Sequence, residues 1–351
     1  MLLSQNIIQF VKDRSEKYEC FKDLKKCPLC GNVHLRYLFT KWAFDHLECL
    51  NCALVFVAQE PSQEFLTDLY ENLEYSSAGI RLVEKPRLER GEPFNFTMNV
   101  DQWYQYIVDE VLRWQQGGLW LDVGGGTGRL LRFVKNYAPG FETFLCESNT
   151  LACQLAEKYC SARIAAWEDM DEMNNTFQVI SCIAVFEHIP DSVNFIKRLG
   201  KLLAPGGVLY MTMPRLGVLA RRISKTALLD ITPPLHLRFF SDKSLRYVEN
   251  QLHGEISLCL FRQSHGKTFH IGHLFKPEWY EYGDVVPKNE GHIPTRIPLS
   301  IPSKGAEHRA YKLFSVIDKL MSPISEQIDG QRVLHAIWQK SKLLAASGKN
   351  Y

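Results

Sequence analysis

The sequence predicts an α/β protein: a doubly wound, Rossmann-like, mostly parallel sheet standing behind a small metal ribbon. Three observations predict it. Short apolar runs alternate with amphipathic stretches from residue 119 to residue 214. A glycine-rich loop, "GGGTG" at 124–128, directly follows the first of those runs. Two CxxC pairs, Cys27/Cys30 and Cys49/Cys52, precede it with 18 residues between them.

Residues 1–26 read as an N-terminal helix, because "MLLSQNIIQFVKDRSEKY" sets apolar residues at helical spacing. Asp13 and Glu16 interrupt the apolar pattern, and no basic leader or small-residue cleavage site accompanies it, so a signal peptide is not expected. No stretch reaches the roughly 18 apolar residues of a spanning helix. A cytoplasmic protein with no membrane partner is therefore expected, and its ten cysteines must be explained without disulfides.

Residues 27–60 explain four of them as a zinc ribbon. The turns "CPLC" and "CLNC" each offer two thiolates on one side, and a zinc ion closes a tetrahedron on four. The intervening "HLRYLFTKWAFDHLEC" alternates loosely and reads as short strands. A site closed by Cys27, Cys30, Cys49 and Cys52 has no open position, so its Zn2+ is expected to be structural. It would supply the folding free energy that so small a ribbon lacks. The other six cysteines are scattered and read as small apolar core residues.

Residues 61–118 form a helical connector, in which "DQWYQYIV" reads as an amphipathic core helix. The core occupies 119–260. "LWLDV" is a buried strand, and "GRLLRFVKNY" is the helix leaving the glycine loop. "TFLCES", "ARIAAW" and "FQVISCIAV" follow as strands two to four, with the helix "TLACQLAEKYC" between the second and third. After the helix "SVNFIKRLGKLLA", the turn "PGG" at 205–207 leads into a fifth strand, "VLYMTMP". Ligands of such sheets sit beyond the C-terminal strand ends, where the glycine loop lies. Glycines permit positive φ and close approach of a ligand, and the next helix presents free N–H groups.

The loop is not a Walker phosphate loop, since Arg129 and Leu130 stand where GK[ST] would be. Nor is it a full dinucleotide fingerprint, because the last position is Arg129; this disfavours a nicotinamide oxidoreductase. It fits G-x-G-x-G through Gly124, Gly126 and Gly128. Glu147 ends the second strand 19 residues beyond Gly128, where a carboxylate can accept both hydroxyls of a ribose.

With Asp122 before the loop and Glu147 after it, the chain resembles the class I S-adenosylmethionine-dependent methyltransferases. The likeness continues through "FQVISCIAVFEHIPDSVNFIKRLGKLLAPGGVLYMTMPR" and "HLRFFSDKSLRYVEN" to "RVLHAIWQK". The last, within 331–345, resembles that family's final strand, which inserts antiparallel and completes a seven-stranded sheet. The leader "CPLC…CLNCALVFV…LYENLEY" is similar to that of bacterial methyltransferases acting on sugars or secondary metabolites. The resemblance implies S-adenosyl-L-methionine as cofactor. Asp122, Gly124, Gly126 and Gly128 would hold its methionine end, with backbone near Ala184 facing it, and Glu147 the ribose. The family's adenine-binding aspartate is replaced by Ala166 and Trp167, leaving Glu168 or Asp169 for the amino group, or Trp167 to pack on the ring.

An oxygen or nitrogen nucleophile benefits from a base, and a carbon nucleophile beside a carbonyl requires one. His188 of the EH motif and His236 are the candidates for proton transfer, each alternatively an architectural histidine. Residues 261–330 carry His265, His270, His273 and His292 with many prolines and read as a cap over the site, ending in the amphipathic helix "AYKLFSVIDKLM". His270 and His273 have metal-compatible spacing but lack accompanying ligands.

A net charge of +2 and a pI near 8.0 impose no nucleic-acid partner. Between its cysteine pairs the ribbon offers only Arg36 and Lys41, apart from histidines. An RNA methyltransferase is therefore disfavoured against one acting on a small hydroxylated metabolite such as a nucleotide-activated sugar. A non-catalytic scaffold docking through the ribbon is the remaining alternative, opposed by the intact loop and Glu147.

Overall fold

The computed structural model describes residues 3–72, 98–216, 231–265 and 332–342, together with 85, 89, 95–96, 282–284 and 296–298. The leader begins with α1 (Leu3–Ser15), but a strand, β1 (Phe21–Asp23), follows it. Arg14 at the end of α1 pairs with Asp68 of α2 (Gln63–Asn72). Strands β2 (Leu35–Lys41), β3 (Phe44–Cys49) and β4 (Val55–Val57) form an antiparallel ribbon, and β5 (Gln59–Pro61) returns to β1. The hairpin between β2 and β3 turns on Trp42 and Ala43, both with positive φ (50° and 66°), as a two-residue primed turn requires.

The connector continues with α3 (Val100–Leu112), whose Ile107, Val108 and Val111 are buried in the core, as an amphipathic core helix should be. The first core strand is β6 (Gly118–Val123), followed by α4 (Arg129–Tyr137), β7 (Phe141–Cys146), α5 (Thr150–Cys160) and β8 (Arg163–Ile164). Then come β9 (Phe177–Ile183), α6 (Ser192–Leu202), β10 (Leu203–Arg215), β11 (Arg238–Phe239), α7 (Asp242–Gln251), β12 (Ile256–His265) and β13 (Arg332–Lys340). Seven of these strands form one sheet of order β8-β7-β6-β9-β10-β13-β12. Strands β8, β7, β6, β9 and β10 are parallel, and β13 enters antiparallel between β10 and β12.

Side-chain alternation builds two cores. Trp120 of β6 joins Leu131, Val134 and Val111 on one face, while Leu121 joins Ile180, Ile196 and Leu199 on the other. Boundaries differ from the sequence pattern at several places, of which three shape the core. The third strand is two residues long rather than six, because Trp167 leaves the sheet to stack on Phe195 of α6. Pro205-Gly206-Gly207 lies within β10 as a bulge: pairing with β9 passes from Leu203–Phe177 to Val208–Val179. Strand β12 runs five residues past 260 into the stretch assigned to the cap. Of that cap, Tyr282–Asp284 pairs with Arg296–Pro298. His270, His273, His292 and the helix expected over 310–321 lie outside the described residues. Among the described residues, no helix is long and apolar enough to cross a membrane.

The ribbon is not a separate module. Strand β11, from the segment "HLRFF", adds to β4 with Arg238 opposite Phe56 and Phe239 opposite Val55. Cys27, Cys49, Cys52, Leu54 and Phe56 share one continuous buried cluster with Phe186, Phe240, Leu245 and Val248.

Candidate functional site

The two CxxC turns fold alike. In the first, Gly31 N–H donates to the Cys27 carbonyl at 2.9 Å and Gly31 takes φ +72°. In the second, Ala53 N–H donates to the Cys49 carbonyl at 2.9 Å and Ala53 takes φ +58°. Each turn thereby aims its two sulfurs the same way. Cys27 and Cys52 sulfurs lie 3.6 Å apart and those of Cys30 and Cys49 3.5 Å apart, with all four within 4.8 Å. Zn–S bonds of about 2.3 Å in a tetrahedron separate sulfurs by about 3.8 Å, so the four thiols fit a zinc ion. A left-handed alanine is strained where glycine is not. Ala53→Gly is therefore expected to stabilise the chain by up to about 1 kcal/mol, and Gly31→Ala to destabilise it comparably, read as opposite shifts of the calorimetric melting temperature.

The second site forms where β6, β7 and β9 end. Gly124 takes φ +68°, and a Cβ there would come within 2.5 Å of Val185 Cγ2. Gly126, at φ +56°, has nothing within 4 Å of a Cβ position, so its backbone borders open space. Gly128, at φ +74°, caps the N-terminus of α4. Glu147 holds the loop from one side. Glu147, directly after β7, accepts from Gly126 N–H and Asn149 N–H, both at 2.9 Å. Asp122 lies buried below it, accepting a 2.6 Å bond from Ser181 Oγ, which in turn accepts from Trp120 Nε1 at 2.8 Å. Burial pushes the Asp122 carboxyl up to about 7 despite the serine donor, and the Glu147 charge adds to the rise.

The adenine end implied by the resemblance is the turn after β8. Glu168 and Asp169 stand exposed at the start of a short 3₁₀ helix, Glu168–Met173. The Cys146 thiol that ends β7 is pushed up to about 12, chiefly by burial, then by the charges of Glu147 and Glu168. Trp167 has protein partners: its ring stacks on Phe195 with centroids 5.5 Å apart, and the Arg198 guanidinium sits 4.3 Å from its centroid.

On the other side, Ala184 follows β9 exposed and left-handed at φ +54°, its N–H bonded to the Thr212 carbonyl at 3.0 Å. Strain of this kind collects at functional sites. The next turn, Phe186–His188, meets the segment 235–239. His188 Nδ1 lies 2.8 Å from the Leu235 carbonyl. A carbonyl only accepts, so Nδ1 carries the hydrogen and Nε2 keeps its lone pair. Burial lowers the His188 pKa, so the ring is neutral near pH 7. The His236 ring lies edge-on to that of His188, with centroids 4.9 Å apart. The two histidines singled out from the sequence thus meet at one rim.

Three groups at this rim escaped the sequence reading. Glu187, buried at 1% exposure, brings a carboxylate oxygen within 3.9 Å of His188 Nε2. Tyr70 of α2 lies edge-on to His188 with ring centroids 6.1 Å apart, and its hydroxyl pKa is raised by burial and then by the charges of Glu187 and Glu147. Asn149 caps α5 through Ala152 N–H and donates to the Tyr70 carbonyl at 3.2 Å. Glu187 stood in the quoted EH motif, but a tyrosine on a preceding helix carries no local signal.

Residues 100–250 match the model of a family described as a methyltransferase domain. No curated protein is significantly similar to the chain in sequence. Among solved structures, a phosphoethanolamine N-methyltransferase 2 from Haemonchus contortus in complex with S-adenosyl-L-methionine is 14% identical, with a TM-score of 0.46 over 81% of this chain and 63% of that one. A coclaurine N-methyltransferase bound to N-methylheliamine and SAH is 13% identical, with a TM-score of 0.43 over 70% of this chain and 75% of that one. A geranyl diphosphate methyltransferase in complex with SAM is 9% identical, with a TM-score of 0.44 over 69% of this chain and 86% of that one.

Proposed function

We propose, from the premise that residues 100–250 are a methyltransferase domain, that the chain methylates a small hydroxylated metabolite, using S-adenosylmethionine as donor. A nucleotide-activated sugar or a natural-product intermediate is the acceptor class that the cysteine leader favours. The observation that carries the reading is the convergence, at the ends of β6, β7 and β9, of an open-faced loop, a ribose-competent carboxylate and a histidine rim.

Asp122, Gly124, Gly126 and Gly128 hold the amino-acid end of the cofactor, and the Ala184 backbone borders it. Glu147 takes the ribose hydroxyls. Glu168 or Asp169 takes the adenine amino group, with Trp167 backing that end. When bound, the cofactor supplies an already activated methyl, so in-line placement of the acceptor provides much of the rate. Those residues would hold the methyl donor in line with the acceptor, which would give up its proton at the rim. His188 and His236 are the groups that activate the acceptor there. Zn2+ on Cys27, Cys30, Cys49 and Cys52 has a structural role.

Calorimetric titration of S-adenosylmethionine and S-adenosylhomocysteine tests the reading. Glu147→Gln keeps an acceptor for the loop but removes the charge that ribose hydroxyls would meet. Its affinity is expected to fall by about tenfold to a hundredfold. Unchanged affinity in the variant, or no binding to folded wild type, would sink the assignment.

A further inference from the structure

We infer that Glu187, His188 and His236 form a binding site for a divalent transition-metal cation, separate from the four cysteines. Among the described residues, two groups bring three or more metal-capable side chains together: the cysteines and this trio, whose ligand atoms all lie within 4.8 Å of one another. Two imidazoles and a carboxylate make a nitrogen–oxygen donor set that suits Mn2+, Fe2+, Co2+ or Zn2+ and leaves coordination positions open.

The arrangement around the trio is that of a metal site. A ligating histidine characteristically donates its second ring N–H to a carbonyl or carboxylate. His188 does so through Nδ1 to Leu235, which leaves Nε2 as the unprotonated nitrogen, 3.9 Å from a Glu187 carboxylate oxygen. Metal–ligand bonds near 2.1 Å set neighbouring donors about 3–3.5 Å apart, so small side-chain rotations close the trio on an ion. The backbone is already fixed. Leu237 N–H donates to the Glu187 carbonyl at 2.8 Å, while the Leu237 carbonyl accepts from Val57 N–H at 3.0 Å. The two segments that carry the ligands are thereby locked together and to the ribbon.

Use of the cation rests on the proposed methyl transfer, although its binding does not. The trio lies at the mouth of β9, beside strained Ala184. Open positions there would take one or two oxygens of a vicinal diol or hydroxyketone. Coordination lowers the pKa of a bound hydroxyl, whose proton passes to solvent before the methyl arrives. The two histidines then activate the acceptor as ligands, not as proton carriers.

The test is titration of Co2+ into the full-length chain already loaded with one zinc, without S-adenosylmethionine, followed by visible absorption. One equivalent of Co2+ should bind with d–d bands and no sulfur-to-cobalt charge transfer, since thiolate bands would report exchange into the ribbon. His236→Asn and Glu187→Gln should each weaken uptake at least tenfold while keeping one zinc per chain and the wild-type circular dichroism. His236 is only half-buried, so its variant serves if Glu187→Gln fails to fold. No uptake beyond the ribbon zinc, or uptake unchanged in the folded variants, overturns the site and leaves the histidines as direct bases. Cobalt uptake by a chain that does not bind S-adenosylmethionine supports the site and overturns the methyl-transfer reading instead.

Discussion

Stripping the ribbon of metal, or replacing Cys49 by serine, is expected to cut turnover at least a hundredfold while S-adenosylmethionine affinity changes less than tenfold. The asymmetry follows from where the ribbon is tied. Strand β4 of the ribbon carries β11 as its edge partner, and β11 begins two residues after His236. Arg238, at 1% exposure, pairs with Glu60 of β5 and donates to the Pro190 carbonyl, so one buried guanidinium joins the ribbon to the EH turn. Phe240 then stacks on Phe186, centroids 4.3 Å apart, beneath the same turn. Loosening the cysteines therefore releases the Leu235 carbonyl that orients His188 and the segment that presents His236. Misplacing a reacting group by about 1 Å costs about a hundredfold in rate. The glycine loop and Glu147 are carried by β6 and β7, which pair within the seven-stranded sheet and not with the ribbon. The comparison to make is kcat against the calorimetric Kd in chelator-treated and zinc-restored protein. Full turnover in folded, zinc-free chain would show that the ribbon does not position the rim.

The same contacts explain what could be read from sequence and what could not. The glycine loop, Glu147 and the two CxxC turns are local patterns, each carried by residues close together in the chain, whereas the antiparallel direction of the last strand is implied by the family resemblance alone. Their geometry is set by φ preference, by thiol spacing or by an apolar run, all visible without the fold. Strand β11 is two residues long and pairs with residues about 180 positions earlier. Nothing in "HLRFF" distinguishes that pairing from a loop. Tyr70 is similar: it packs on His188, and its carbonyl accepts from Asn149, 79 positions later. The apolar pattern predicts six residues for the third strand because Trp167 is as apolar as a strand residue, yet its stacking partners, Phe195 and Arg198, lie on a helix. Alternation of hydrophobicity reports burial, not the element that provides it.

Cofactor affinity is expected to fall steeply as pH drops below 7, and Asp122 is the group that titrates. Its carboxyl, pushed up to about 7 by burial, holds a proton in the folded chain that the unfolded chain, with a carboxyl pKa near 4, has already lost. This group therefore subtracts stability progressively as pH rises from about 4 to about 7, and the whole penalty is present above that. Binding a cationic amino group under the loop reverses the preference, because only the ionised carboxylate attracts it. A site that must lose one proton to bind loses up to about tenfold in affinity per pH unit below its free-state pKa, about a hundredfold between pH 8 and pH 5. Asp122→Asn should bind weakly and flatten the profile. Ser181→Ala removes the hydroxyl that stabilises the ionised form and should move the transition to higher pH, with Trp120 losing its partner at the same time. Calorimetry of S-adenosylhomocysteine across this range separates the outcomes. A profile that is flat in wild type, or sloping equally in Asp122→Asn, would mean that the carboxylate serves the loop alone and does not meet the cofactor's charge.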